Sequence, residues 1–305
     1  MNKQSPPSNR ADLIQRINRL SAPLPPLPTD MSPSIVPLQK IRCVIFDVYG
    51  TMLVSGSGDI GLGSGEDAAA LADAMRAAGI SQGGADSGRH GVELLRQQID
   101  HVHEQKRASG VDFPEVEIRS IWRHVLDVLA REQGTDQTFT DQTIESLAVE
   151  YECRVNPVWP MPHLEQTLTR LQQSDLTLGI VSNSQFCTPL LFEALLGRST
   201  DELGFDPNLC AWSYLAGCAK PSKHLYEPVD KALRSGSIDP NQVLYVGNDM
   251  RKDIGPANSI GWHTALFAGD QRSLRLETGQ EQSNSGPSLT LTGLDQLCDA
   301  MGLNR

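Results

Sequence analysis

No apolar run in the chain approaches the ~18 residues that a membrane-spanning helix needs, and the first residues lack the apolar core and small-residue cleavage pattern of a secretory signal. Positive charge is scarce: 26 Lys and Arg stand against 37 Asp and Glu, a net charge of −11. That balance excludes a general grip on nucleic acid or an anionic membrane, which needs a basic face, and leaves room for a small local anion site. The six cysteines, Cys43, Cys153, Cys187, Cys210, Cys218 and Cys298, hold no C-x-x-C pair and no zinc spacing. They are expected as reduced thiols of a cytoplasmic protein. G-x-S-x-G, G-K-[ST] and H-E-x-x-H are also absent, which removes the serine-hydrolase elbow, the phosphate loop and the zincin helix. What is there, 305 residues of which 39% are hydrophobic, suits one large or two modest domains and excludes disorder over most of the length.

Eight of the 19 prolines fall within residues 1–40, which therefore read as an extended leader. Inside it, ADLIQRINRL places Leu13, Ile14, Ile17 and Leu20 on one helical stripe, fit to dock on the protein's own body or, as a docking arm, on a partner. From residue 41, short apolar runs end in polar residues or glycine: IRCVIF, LTLGIVS (176–182), LCAWSYL (209–215), QVLYV (242–246) and HTALFA (263–268). Such runs suit strands buried on both faces, and the amphipathic stretches between the later ones imply a parallel, doubly wound α/β sheet. Residues 66–155 break that rhythm with four helical patterns and no convincing strand, so they read as a helical insertion after the first strand. The expected organisation is a leader over 1–40, a core over 41–55 and 160–305, and an all-helical cap over 56–159. A G-x-G-x-x-G at Gly56, Gly58 and Gly61 lies past the strand end, with no acidic residue closing a second strand, and reads as a hinge between core and cap rather than a dinucleotide loop. Residues 271–290 read as a polar loop before a last helix.

In an open parallel sheet ligands bind beyond the carboxyl ends of the strands. The residues there form a coherent set: Asp47 after CVIF, Ser182 and Asn183 after the second strand, Lys220 before Pro221 after the third, and Asp249 and Asp253 in GNDMRKD after the fourth. Carboxylates, a hydroxyl and a lysine meeting in one crevice could hold Mg²⁺ through oxygen and bind an anion through Lys and Ser. Each also has a plainer reading: a turn residue for Asp47, a helix cap for Ser182, a solvated lysine, and acidic residues favoured at a helix start for the Asp249/Asp253 pair, whose i, i+4 spacing shares a face.

These four segments, in order over residues 41–268, resemble the four motifs of the haloacid dehalogenase superfamily. The resemblance implies a Rossmann-like core with an inserted helical cap. It implies Asp47 as nucleophile and Ser182 and Lys220 as its catalytic companions, with Ser182, Asn183, Lys220 and Tyr49 around the substrate. Asp47, the Tyr49 carbonyl, Asp249 and Asp253 would be the ligands of Mg²⁺. Two features pull apart. Phosphatases of this superfamily carry an acid two residues after the nucleophile, where this chain has Tyr49, a weak general acid. D-x-Y-G-T is similar to the first motif of the metal-free 2-haloacid dehalogenases, whose halide-accepting cap arginine would best be matched by Arg96. Against that, Asp249 is kept beside Asp253, where those dehalogenases resemble S-x-N-x-x-D. The resulting expectation is a Mg²⁺-dependent phosphatase acting on a small anionic metabolite, with a metal-free 2-haloacid dehalogenase or a non-catalytic binding protein as alternatives.

Overall fold

The computed structural model describes residues 7–57, 67–81, 85–276 and 286–303. Its strands are β1 (Cys43–Phe46), β2 (Leu53–Ser55), β3 (Val158–Pro160), β4 (Thr177–Ser182), β5 (Phe205–Trp212), β6 (Val243–Gly247), β7 (His263–Phe267) and β8 (Leu289–Leu291). Six of these form one sheet in the order β5-β4-β1-β6-β7-β8, every pair parallel. All four residues of β1 and all five of β6 are buried, as expected when helices cover both faces. The five apolar runs of the sequence are the strands β1, β4, β5, β6 and β7, and the core is the expected Rossmann-like parallel α/β sheet. β1 sits between β4 and β6, with Phe46 level with Ile180 on one side and Val246 on the other. Chain order reverses there, so a crevice opens at the carboxyl end of β1.

The helices are α1 (Pro7–Leu20), then α2 (Asp67–Ala77), α3 (Ala85–Ala108), α4 (Ile118–Glu132) and α5 (Asp141–Val155), which make the inserted all-helical cap, and α6 (Leu164–Gln172), α7 (Thr188–Leu196), α8 (Ser213–Ala216), α9 (Glu227–Ser235), α10 (Gly255–Ser259) and α11 (Gln296–Ala300), which belong to the core. α4 shows why the cap folds. Ile121, Trp122, Val125, Leu126 and Leu129 recur on one face and are buried, while Glu117 caps its first turn at the Arg119 N–H. Trp122 stands edge-on to Tyr151 of α5 with ring centroids 5.1 Å apart.

Core and cap are joined by an antiparallel ribbon in which Ser55 of β2 lies opposite Val158 of β3. Ser55 Oγ donates to Asn156 Oδ1 at 2.8 Å, and Gly56 N to Pro157 O at 2.8 Å. A Cβ on Gly56 would fall 2.7 Å from Pro157 Cγ, so this glycine serves a close chain approach rather than a loose hinge. Gly58 and Gly61 lie outside the described residues.

The leader is part of the body. Leu13 and Ile17 of α1 are fully buried, and the helix spans cap and core. Arg16 meets the buried Glu150 of α5 at 2.8 Å, Arg19 bonds the same carboxylate, and Arg10 pairs with Glu193 of α7 at 2.5 Å. Farther on, Thr29 Oγ1 donates to Ala268 O at 2.7 Å, and Leu38 N to Ala300 O at 2.9 Å. The stripe therefore docks on its own protein, because its apolar residues and the charges beside them find complements there. Leu13→Ala is expected to cost about 2–5 kcal/mol through the cavity it leaves, read as a lower urea midpoint. An unchanged midpoint would mean that α1 is not docked in solution.

Candidate active site

β1 delivers Asp47 to the crevice: its N–H donates to Val246 O at 2.9 Å, extending the ladder by one residue before the chain turns through Val48 to Met52. The turn needs glycine at position 50. Gly50 has φ +81°, and a Cβ there would lie 2.4 Å from the Cβ of Ser273 and 2.8 Å from Asn248 Nδ2. The motif after β1 is thus closed against two residues from other parts of the chain.

The centre of the site is a buried triad of charges. Lys220 Nζ donates to Asp47 Oδ1 and to Asp253 Oδ1, both at 2.6 Å, and the Tyr245 hydroxyl lies 3.3 Å from Lys220 Nζ and 3.1 Å from Asp253 Oδ1. Lys220 is anchored by its own N–H, which donates to Asn183 Oδ1 at 2.7 Å. Burial pushes the Asp47 carboxyl up to about 6, with Asp253 adding to the rise while Lys220 and the Ser182 hydroxyl hold it back. Burial alone would lower the ammonium of Lys220, but the two carboxylates more than offset it, and its affinity for the proton rises.

The two aspartates after β6 have different jobs. The segment Met250–Ile254 is a single π-helical turn rather than the start of an α-helix. Asp249 Oδ1 caps it, accepting from Arg251 N and Lys252 N, both at 2.8 Å. Asp253 reaches back, its Oδ2 accepting from Asp249 N at 3.0 Å, across Gly247, where a Cβ would sit 2.5 Å from that carboxylate. The residue next to the strand end is Asn248. Its Oδ1 accepts from Thr51 Oγ1 at 3.0 Å and its Nδ2 donates to Ser273 O at 2.6 Å.

Asp47, Tyr49, Asn183, Lys220, Asp249 and Asp253 all line one narrow pocket of about 30 Å³, and Asn248, Lys252, Ser273 and Arg275 complete its wall. Ser182 lies behind it, fully buried. The structure therefore brings together every residue singled out after the strands. It adds Tyr245, hidden in an apolar strand, and Ser273 and Arg275, which come from beyond β7. The Tyr49 phenol is directed to Thr188 Oγ1, 3.0 Å away, and burial raises its pKa further, aided by Cys187 and Glu152. Cys187 in turn lines a larger, mainly apolar cavity of about 240 Å³ between cap and core, with Leu95, Ile99, Trp122 and Tyr151. Arg96 pairs with Asp67 at 3.2 Å and lines neither space.

A parallel α/β core with a helical cap, carrying an aspartate beyond its first strand and a lysine held between two carboxylates, defines a capped hydrolase. The family model of the haloacid dehalogenase-like hydrolases matches residues 41–261, and the chain belongs to that family. A solved 2-haloacid dehalogenase from Pseudomonas syringae pv. Tomato DC3000 is similar at 20% identity, over 85% of this chain and 97% of its own, with a TM-score of 0.58. A defluorinating L-2-haloacid dehalogenase is similar at 17% identity, over 88% of this chain and 100% of its own, with a TM-score of 0.51. At these identities the likeness is one of fold. No curated protein matches the sequence significantly. No helix among the described residues is long and apolar enough to cross a membrane.

Proposed function

We propose that the chain hydrolyses small 2-halocarboxylates by displacement at carbon, without a metal. One observation carries the reading. The position two residues after Asp47, where ester hydrolysis wants a proton donor for the departing alkoxide, holds a phenol that is turned to Thr188 and made a weaker acid by burial. Halide leaves without a proton. In the first step a lone pair of Asp47 Oδ2 forms a C–O bond at C2 while the C–X pair departs with the halide, giving an ester of Asp47. Water then adds to Asp47 Cγ, the bond from Cγ to the ester oxygen breaks, one proton of that water passes to the departing oxygen to give the 2-hydroxy acid, and the other is lost to solvent as the Asp47 carboxylate is restored. Lys220 keeps Asp47 aimed and ionised, and Asn183 lines the pocket where substrate oxygens would pass, with Ser182 buried behind it. Both similar structures carry the name of 2-haloacid dehalogenases.

A Mg²⁺-dependent phosphatase is the second reading, favoured because Asp249 lines the same pocket as Asp47. Of the four expected ligands, Asp253 has both oxygens committed, to Lys220 and Tyr245 and to the Asp249 N–H, and Asp249 has one oxygen committed to its cap. Asp47, the Tyr49 carbonyl and the remaining oxygen of Asp249 are the groups that would hold the ion, which would supply charge neutralisation to phosphoryl oxygens. Among the described residues no three His, Cys, Asp or Glu are grouped to share an ion.

Chloride release from 2-chloropropionate, followed with EDTA and with Mg²⁺ beside p-nitrophenyl phosphate hydrolysis, tests the choice. The expected result is chloride release indifferent to EDTA. Phosphate release that requires Mg²⁺ would select the second reading. The pH dependence separates them again. The nucleophile must be ionised, so kcat/KM should rise tenfold per pH unit below about 6 and then stay flat, because no proton has to be donated up to the departure of the halide, the step that kcat/KM reports, and Lys220 keeps its own. A fall on the alkaline side near neutrality would point to an acid that the displacement at carbon does not need.

A further inference from the structure

Ser273 is fully buried, its Oγ has no hydrogen-bond partner, and it lines the pocket of Asp47. A buried hydroxyl left without a partner is rare and costly in a folded protein. It is also held still from two sides. On the site side, its carbonyl accepts from Asn248 Nδ2 at 2.6 Å, its Cβ abuts Gly50, and Arg275 is zipped to the strand end, with Arg275 N donating to Asn248 O at 3.0 Å and Met250 N to Arg275 O at 2.9 Å. On the outer side the leader pins the same segment. Asp270 Oδ1 accepts from Leu27 N at 2.9 Å, Gln271 N donates to Leu27 O at 2.9 Å, and Arg272 Nη1 to Pro25 O at 3.1 Å. The unpartnered hydroxyl thus belongs to a clamped residue that lines the pocket, whose wall carries Lys220, Lys252 and Arg275 beside Asp47, Asp249 and Asp253.

We infer that Ser273 Oγ is a substrate-binding group that donates its hydrogen bond to an oxygen of an anionic substrate, a carboxylate, and that the leader holds it in place to do so. An O–H donating to a carboxylate makes a short, charge-assisted bond. The carboxylate, as opposed to another anion, rests on the 2-halocarboxylate reading above; the anion-binding role of the hydroxyl does not.

The test compares the full chain with Ser273→Ala by calorimetric titration with L-lactate and, separately, with orthophosphate, and by the thermal midpoint of each protein without ligand. Lactate is expected to bind the wild type and to bind Ser273→Ala at least fivefold more weakly, while the unliganded midpoint of the variant is equal or higher, since an unsatisfied hydroxyl has been removed. With 2-chloropropionate, KM is expected to rise at least fivefold more than kcat falls. Equal lactate affinity in the two proteins, a lower midpoint in the variant, or no binding of either probe by the wild type would overturn the inference, and binding of orthophosphate alone would overturn the carboxylate. If chloride is never released but lactate binding still depends on Ser273, the reaction proposed above has failed and this site stands.

Discussion

Asp47→Asn should lower turnover by about 10⁴-fold or more and leave the protein folded and at least as stable as the wild type. The amide has no lone pair basic enough to attack carbon or phosphorus, so the loss does not depend on which substrate class is correct. The stability half of the expectation follows from the environment. Asp47 is ionised in a place that disfavours its charge, which is what its rise to about 6 means, so at neutral pH its carboxylate opposes folding. Asn fills the same volume without the charge, and the gain is up to about 3 kcal/mol. The sign can be checked by pH. A carboxyl whose folded pKa lies above its unfolded value weakens the fold progressively as pH rises through that interval and by a constant amount above it. The difference between wild type and variant should therefore open between about pH 4 and 6 and stay level beyond. Lys220 is not orphaned in the variant, because Asp253 still receives it at 2.6 Å. Residual turnover near the wild-type rate would remove Asp47 from the reaction altogether, whereas a collapse of the fold would mean that the carboxylate is a structural partner of Lys220 first.

Much of this site can be read along the chain because the sheet is parallel. Strands buried on both faces become unbroken apolar runs, and each run ends at the crevice, so the first polar residues after CVIF, TLGIVS and VLYVG are the ones that meet. The same physics explains what stays hidden. β2, β3 and β8 have three residues each, too few for a period, and β5 has an exposed stretch at Pro207 and Asn208 near its start, where an edge strand can face water. The i, i+4 spacing of Asp249 and Asp253 places them at one corner, but the spacing is silent on their division of labour, which depends on a π-helical turn and on Gly247 leaving room for a carboxylate. Ser273 could not be found at all. No strand end, motif or periodicity marks it; it reaches the pocket because the chain after β7 folds back over Gly50 and is fastened there by the backbone of Pro25 and Leu27 in the leader, more than 240 residues earlier. A segment whose composition suggests a detachable arm is, in the fold, fastened to the outer side of the segment that lines the site.

Lys220→Met carries the second large expected effect, on fold and rate together. The ammonium lies between two buried carboxylates, and removing it leaves two like charges facing each other without compensation. The expected cost is about 3–5 kcal/mol, seen as a lower urea midpoint, with turnover reduced by about 10³-fold or more because one of the carboxylates takes up a proton at neutral pH. Adding Asp253→Asn to that variant removes one of the two charges and should restore part of the stability without restoring the rate, since the aim and ionisation of Asp47 still lack the lysine. Asp253→Asn alone behaves differently. The nearby carboxylate of Asp253 is one of the influences that raise Asp47, so its neutralisation lowers the pKa of the nucleophile, and the acid limb of the pH–rate profile should move to lower pH while Lys220 remains bound to Asp47. A Lys220→Met protein with the wild-type urea midpoint would show that the charges are relieved by some other route, and an acid limb that stays put in Asp253→Asn would show that Asp47 does not feel its neighbour across the lysine.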